Sequence, residues 1–170
     1  MLKLRLKQCK KSIEDRFHNE KEVMKRENNI IIYRMKESVR TGKEGYDDDR
    51  VNVKKIIDTL GDNGVGMEAV ENMFRLGRKE DKVRPILIQF KERTTKNLLM
   101  ENLKRLSSLD DDLKNVGINH DFSREQREEC RKLVIQAKEK EARHSGEFIF
   151  RVRGYPGNLR IERFRRRVQI

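Results

Sequence analysis

Residues 74–90, with the sequence FRLGRKEDKVRPILIQF, decide how the middle of this chain folds. Apolar residues occupy both ends, and the run from Ile86 to Phe90 is typical of a largely buried β-strand. The connection between the two ends is basic and contains Arg78, Lys79, Lys82 and Arg84. The stretch therefore predicts two strands joined by a positively charged loop. Such charge can serve solubility alone, but it also suits a negatively charged ligand.

The segments on either side of this strand pair predict the order β-α-β-β-α-β. The predicted elements are strand 30–33, helix 47–60, strand 69–76, strand 85–91, helix 94–106 and strand 116–122. The aspartates at 47–49 suit the positive end of the first helix, Gly61 ends that helix, and Thr94 or Thr95 can cap the second. This α+β pattern is the ferredoxin-like arrangement of RNA recognition motifs, in which two helices cover one face of a four-stranded sheet.

The first 27 residues contain no Gly or Pro and predict a helix. Its apolar positions follow the 4-3-4 spacing of a coiled coil, at Leu2, Leu6, Cys9 and Ile13. The next two positions of that seam are the polar residues Arg16 and Glu20. Two interpretations stay open: the end of an oligomerising stalk, or a solvated helix that packs on the following domain.

The segment after residue 122 predicts a small separate domain. Ser123 is placed to cap a long helix, Arg124–Arg143, and the sequence FIFRVRGYPGNLRIERF then predicts a β-hairpin. Alternation with period two gives the first hairpin strand one apolar face and one face with arginines. The predicted organisation is thus a coiled-coil stalk end at 1–27, a domain like an RNA recognition motif at 28–122, and a C-terminal domain at 123–170.

The charge balance favours an acidic partner. The 170 residues include 41 Lys and Arg against 29 Asp and Glu, which gives a net charge of +12 and a pI of about 9.8. Nucleic acid is the first candidate for such a chain and an anionic membrane the second. Every cation after residue 146 is an arginine, and arginine both binds phosphate bidentately and stacks on bases.

Other functional classes find little support in the sequence. Cys9 and Cys130 lie far apart and form no CxxC pair, which favours a reducing, intracellular location, and no apolar run is long enough to cross a membrane. The histidines at 18, 120 and 144 do not have metal-ligand spacing, and there is no glycine-rich phosphate loop or nucleophile elbow. We therefore expect no enzymatic activity, no metal and no cofactor.

Three basic clusters are candidates for nucleic-acid contact: residues 75–84, 124–131 and 151–167. The helix cluster is interleaved with glutamates, so a solvated face is favoured there. The hairpin cluster has few acids, and its candidate residues are Arg151, Arg153, Tyr155, Arg160 and Arg163. The predicted sheet offers few aromatic residues for base stacking: Tyr33, for which core packing is equally compatible, and Phe90.

The chain resembles the first open-reading-frame protein of LINE-type non-LTR retrotransposons. The stretches that carry the resemblance are NNIIIYRMKES, FRLGRKEDKVRPILIQF, INHDFSREQREECRKL and the hairpin that begins with FRVRG. Together they cover nearly the whole chain in the family's order of coiled coil, RNA recognition motif and C-terminal domain. The N-terminus departs from the family, since only a short piece of stalk is present.

The resemblance implies binding of single-stranded RNA and DNA with little sequence preference and nucleic-acid chaperone activity. It implies a homotrimer joined by the coiled coil, which coats the element's RNA in cytoplasmic ribonucleoprotein particles, with the nucleus as a further location. The residues that it assigns to phosphate contact are Arg75, Arg78, Lys79, Lys82 and Arg84 in the loop and Arg131 on the helix. The alternative is a protein-interaction module, with the same fold but without nucleic-acid binding.

Overall fold

The computed structural model describes residues 2–62, 64–79, 82–144 and 146–166, with side chains from residue 10 onward. The chain divides into two compact units, Met1–Asp121 and Phe122–Ile170, here called the first and second units. The first unit contains α1 (Leu2–Arg26), β1 (Asn29–Tyr33), α2 (Gly42–Leu60), β2 (Val70–Arg75), β3 (Ile86–Phe90), α3 (Arg93–Glu101), α4 (Asp111–Lys114) and β4 (Gly117–His120). The second contains α5 (Arg124–Arg143), β5 (Phe148–Tyr155) and β6 (Asn158–Arg165).

The four strands of the first unit form one antiparallel sheet in the order β2-β3-β1-β4. The two central strands, β1 and β3, are the most apolar, and Ile30 lies opposite Ile88 in their register. The predicted α+β class is thus confirmed at the level of a four-stranded antiparallel sheet and its helices.

One face of this sheet forms the hydrophobic core. Ile30, Ile32 and Ile88 are at most 1% exposed, and they pack in one cluster with apolar residues of α2 and α3 such as Ile56 and Leu99. Alternation along a strand places Tyr33 on the opposite face, here called the open face. Phe90 is fully buried in the core cluster, so it is not available for base stacking.

Both helix starts in the first unit differ from the predicted ones. Helix α2 begins at Gly42, ahead of the aspartates at 47–49, so these residues lie within the helix and do not cap it; Asp48 accepts from Ser38 Oγ at 2.6 Å. Helix α3 has Glu92 at its N-cap position with no side-chain cap, so Thr94 does not cap it. It ends at Glu101, and a 3-10 segment, Leu103–Ser108, follows.

Helix α1 joins the sheet through its last turn. Arg26 Nη1 donates to Asp121 Oδ1 at 2.8 Å, and Asn29 Nδ2 donates to Asp121 Oδ2 at 3.1 Å. The predicted helix is confirmed. Of the predicted seam, Ile13 is 49% exposed, and the side chains of the three earlier positions lie outside the described residues. No helix within the described ranges is long and apolar enough to span a membrane.

The second unit packs a two-stranded hairpin against α5. Ser123 and Gln126 form a reciprocal capping box, since Ser123 Oγ accepts from the Gln126 N–H at 3.2 Å and Gln126 Oε1 accepts from the Ser123 N–H at 2.9 Å. The predicted cap and helix bounds are therefore confirmed. The small core includes Ala137 and Phe150, both less than 9% exposed. His144 stacks on the Phe150 ring at a centroid distance of 5.3 Å.

Candidate nucleic-acid interface

Arg75, at the end of β2, is a buried structural residue. Its side chain is 7% exposed, and its Nε and Nη2 donate to the two carboxylate oxygens of Asp49 at 2.8 and 2.5 Å. Its remaining donors reach backbone carbonyls: Nη1 donates to Met35 O and Arg84 O, and Nη2 donates to Lys36 O. Since a guanidinium has five N–H groups, no donor remains for a phosphate. Arg75 is therefore not available for phosphate contact.

Arg84, at the other end of the basic loop, is also held inside the first unit. Its Nη2 lies 2.9 Å from Glu37 Oε2, and its backbone N–H donates to Glu37 Oε1 at 2.7 Å. Hydrogen bonds from the Arg84 side chain lower the pKa of Glu37 to about 2. Part of the loop's charge thus serves an internal purpose, because Arg75 and Arg84 fix the two ends of the loop.

The middle of the loop contains the cations that can reach a ligand. Arg78, Lys79 and Lys82 are exposed, and none of them forms an ion pair with a described residue. Gly77, with a φ of +87°, turns the chain out of β2 into this segment. Lys79 also lines a cavity of about 260 Å³ together with Arg40 and Tyr46. The two ends of the loop are anchored, and these three exposed cations lie between them, where they can contact phosphate groups.

The hairpin of the second unit has two faces of different chemistry. Residues directly opposite in an antiparallel pair share a face, so the register assigns every side chain of the hairpin to one of its two faces. One face is apolar on β5, with Phe148, Phe150 and Val152, and it packs on α5. The other, here called the arginine face, consists of Ile149, Arg151, Arg153, Tyr155, Asn158, Arg160, Glu162 and Phe164. The predicted alternation on β5 is confirmed.

The arginine face combines exposed guanidinium groups with an exposed ring. The Arg153 guanidinium carbon lies 6.0 Å from the centroid of Phe164, and that ring is 41% exposed. Arg160 lies directly opposite Arg153 in the register, and its Nε donates to Glu162 at 2.8 Å. Two arginines side by side repel each other, and a bound phosphate would relieve that repulsion. Stacking rings and cations of this kind are what single-stranded nucleic acid requires.

The other hairpin candidates are engaged differently. Arg151 is held by Glu141 of α5 at 3.2 Å, and Glu141 also accepts from the Phe150 N–H at 3.3 Å. Arg163 lies on the apolar face, where its guanidinium carbon is 4.7 Å from the Phe148 centroid. Tyr155 lies half-buried at the turn end of the arginine face. The structure thus brings Arg153, Tyr155 and Arg160 together and places Arg163 apart from them.

Arg131 belongs to a basic stripe on α5. Residues three, four and seven apart share a helix face, which aligns Arg127, Arg131 and Lys138. All three are exposed, and none of them forms an ion pair with a described residue. Glu128 lies three residues before Arg131 and Glu141 three residues after Lys138, so acidic side chains border this stripe. Lys138 lies outside the predicted cluster at 124–131, because residues that share a helix face are separated in sequence.

The open face of the sheet in the first unit carries two exposed aromatic residues. Tyr33 on β1 is 37% exposed, and Phe74 on β2 is 50% exposed. Leu87 lies directly opposite Phe74 and directly opposite Ile31 in the register, and both of these aliphatic residues are at most 9% exposed. Alternation along β2 could have identified Phe74 as a residue of the open face, because it directly precedes Arg75, whose side chain faces the core.

The sequence matches no protein-family model, and a comparison with curated proteins finds no match. The chemistry of the described side chains is therefore the basis for a functional assignment. Within the described ranges, no group of three or more His, Cys, Asp or Glu side chains is arranged to hold a metal ion. The exposed side chains of the candidate site are cations and aromatic rings.

Proposed function

We propose that the chain binds single-stranded RNA and DNA with little sequence preference and acts as a nucleic-acid chaperone. In this proposal it coats retrotransposon RNA in a ribonucleoprotein particle, as a homo-oligomer joined through α1. The particle would be cytoplasmic, with the nucleus as a further location. The first unit would be a ferredoxin-like RNA recognition motif, which the strand order β2-β3-β1-β4 supports.

The observation that carries the proposal is the arginine face. Arg153 and Arg160 lie side by side with the exposed Phe164 ring on the same face. Guanidinium groups contact phosphates of any sequence, and a ring stacks on any base, so both elements are tolerant of sequence. The exposed loop cations, which include Arg78 and Lys79, add sequence-independent phosphate contacts in the first unit.

The proposal is tested by fluorescence anisotropy with labelled single-stranded RNA and DNA of mixed sequence. The double variant Arg153→Ala/Arg160→Ala is compared with Lys132→Ala/Lys140→Ala, which removes the same charge from exposed positions of α5. We expect the arginine-face variant to weaken binding about tenfold or more and the control variant to weaken it much less.

Two results contradict the proposal. Equal weakening by both double variants means that net charge attracts the ligand and that the arginine face has no special role. Absence of binding by the wild-type chain at low salt overturns nucleic-acid binding itself and leaves the protein-interaction module. A strand-annealing assay with complementary oligonucleotides then tests the chaperone activity, which the same arginine-face variant should reduce.

A further inference from the structure

Arg34 has a backbone conformation that is unusual for its residue type. It directly follows β1 and has a φ of +62°, in the left-handed region that residues other than glycine seldom adopt. Such strain persists where the surrounding structure fixes it, and it is frequently found at functional positions. The Arg34 side chain extends to Asn115 and Gly117, at the start of β4.

The guanidinium of Arg34 lies over Gly117, the first residue of β4. A Cβ placed on Gly117 would be 3.0 Å from Arg34 Nη2 and 3.5 Å from its Cζ, so the guanidinium occupies the space that a side chain would need. Gly117 is directly opposite Tyr33 in the register, and opposite residues share a face. The Arg34 guanidinium therefore lies on the same open face as Tyr33.

A single hydrogen bond holds this guanidinium in place. Its Nε donates to the Asn115 carbonyl at 3.1 Å. Among the described residues, neither Nη1 nor Nη2 of Arg34 has a hydrogen-bond partner, and the residue is exposed. This arrangement contrasts with Arg75, whose donors are all engaged. Arg34 is thus oriented by one hydrogen bond, while both terminal nitrogens of its fork are without a hydrogen-bond partner among the described residues.

We propose that Arg34 binds a backbone phosphate of single-stranded nucleic acid on the open sheet face, while Tyr33 stacks on a neighbouring base. The inference rests on the proposed function and extends it to a surface of the first unit. A guanidinium fork matches two phosphate oxygens, and fixing it in advance reduces the entropy lost on binding. Gly117 is part of the site because it leaves room for the guanidinium.

The test uses anisotropy with labelled single-stranded RNA and four variants of the full chain. Arg34→Ala removes the fork, and Arg34→Lys keeps the charge without it. Gly117→Ala keeps Arg34 but requires its guanidinium to shift slightly, at small cost to folding because the obstructing atoms are the end of a flexible side chain. Lys104→Ala is the control, since Lys104 is an exposed cation in the 3-10 segment of the same unit.

We expect Arg34→Ala to weaken binding about three- to tenfold and to lower the salt dependence by about one phosphate contact. Arg34→Lys and Gly117→Ala should also weaken binding, and Lys104→Ala should have the smallest effect. An Arg34→Ala affinity equal to that of Lys104→Ala overturns the inference but leaves the proposed function in place. Wild-type affinity in both Arg34→Lys and Gly117→Ala overturns the role of the fixed guanidinium.

Failure of the proposed function has a different signature, since the wild-type chain then shows no RNA binding. Polyglutamate serves as a second ligand in the same assay. If Arg34→Ala weakened binding of polyglutamate and not of RNA, the site would recognise acidic protein segments, and the inference would be wrong.

Discussion

Replacement of Arg75 should destabilise the protein without removing a contact to nucleic acid. The Arg75 and Asp49 side chains are only 7% and 12% exposed and are joined by two hydrogen bonds. Removing one partner of such a buried pair costs about 3–5 kcal/mol, because the other charge stays buried without compensation. In Arg75→Met, the carbonyls of Met35, Lys36 and Arg84 also lose their donor.

Urea unfolding followed by far-UV circular dichroism measures this effect. With a denaturant slope of about 2 kcal/mol per molar urea, the unfolding midpoint should fall by about 2 M. The double variant Arg75→Met/Asp49→Leu should recover much of the loss, since an apolar pair of similar volume requires no compensating charge. The matched control Arg78→Ala, at an exposed position of the same loop, should leave the midpoint within about 0.3 M.

RNA binding by the same variants completes the test. Folded Arg75→Met should weaken RNA binding less than Arg78→Ala does, because it removes an anchor of the loop but no phosphate contact. An unchanged urea midpoint for Arg75→Met, accompanied by loss of RNA affinity, would refute the assignment of Arg75 to the protein interior.

Three further predictions concern stability. Arg84 lowers the pKa of Glu37 from 4.5 to about 2, so Glu37 binds a proton less readily in the native state than in the unfolded state. The resulting contribution to stability is present above pH 4.5 and is lost as the pH falls toward 2. Glu37→Gln should remove that part of the pH dependence of urea unfolding. Gly154→Ala should unfold the hairpin, because Gly154 has a φ of +113° and an added Cβ would lie 2.2 Å from the Asn158 carbonyl oxygen; limited proteolysis that finds the variant as resistant as wild type would contradict this. Ser123→Ala removes one bond of the capping box and should cost about 1 kcal/mol, seen as faster amide exchange in the first turn of α5.

The fold was predictable where side-chain periodicity is strong. The apolar run at Ile30 and the apolar residues before Phe90 lie in the two central strands, β1 and β3. Because the side chains of these strands are buried, a shift in their pairing register would expose apolar residues. Helix α5 was predicted with its observed bounds, because Ser123 and Gln126 form a local capping signal. The start of α2 was not predictable in this way, since Thr41 at its N-cap position forms no side-chain capping bond.

The candidate site was predictable in composition and less so in geometry. The sequence identified the basic loop, but a count of cations cannot distinguish Arg75 from Arg78. Arg75 is buried and paired with a carboxylate 26 positions away, whereas Arg78 is exposed. Arg34 was missed for a related reason. Its position depends on a positive φ and on the absence of a side chain at Gly117, and neither property is visible as a motif.

The most direct test of the central claim is the salt dependence of single-stranded RNA binding by the wild-type chain, with two oligonucleotides of unrelated sequence. If about five phosphates are contacted, the logarithm of the association constant should fall with the logarithm of salt concentration with a slope of about −3.5, equally for both sequences. No binding at about 50 mM salt, or a slope near zero, would contradict the account.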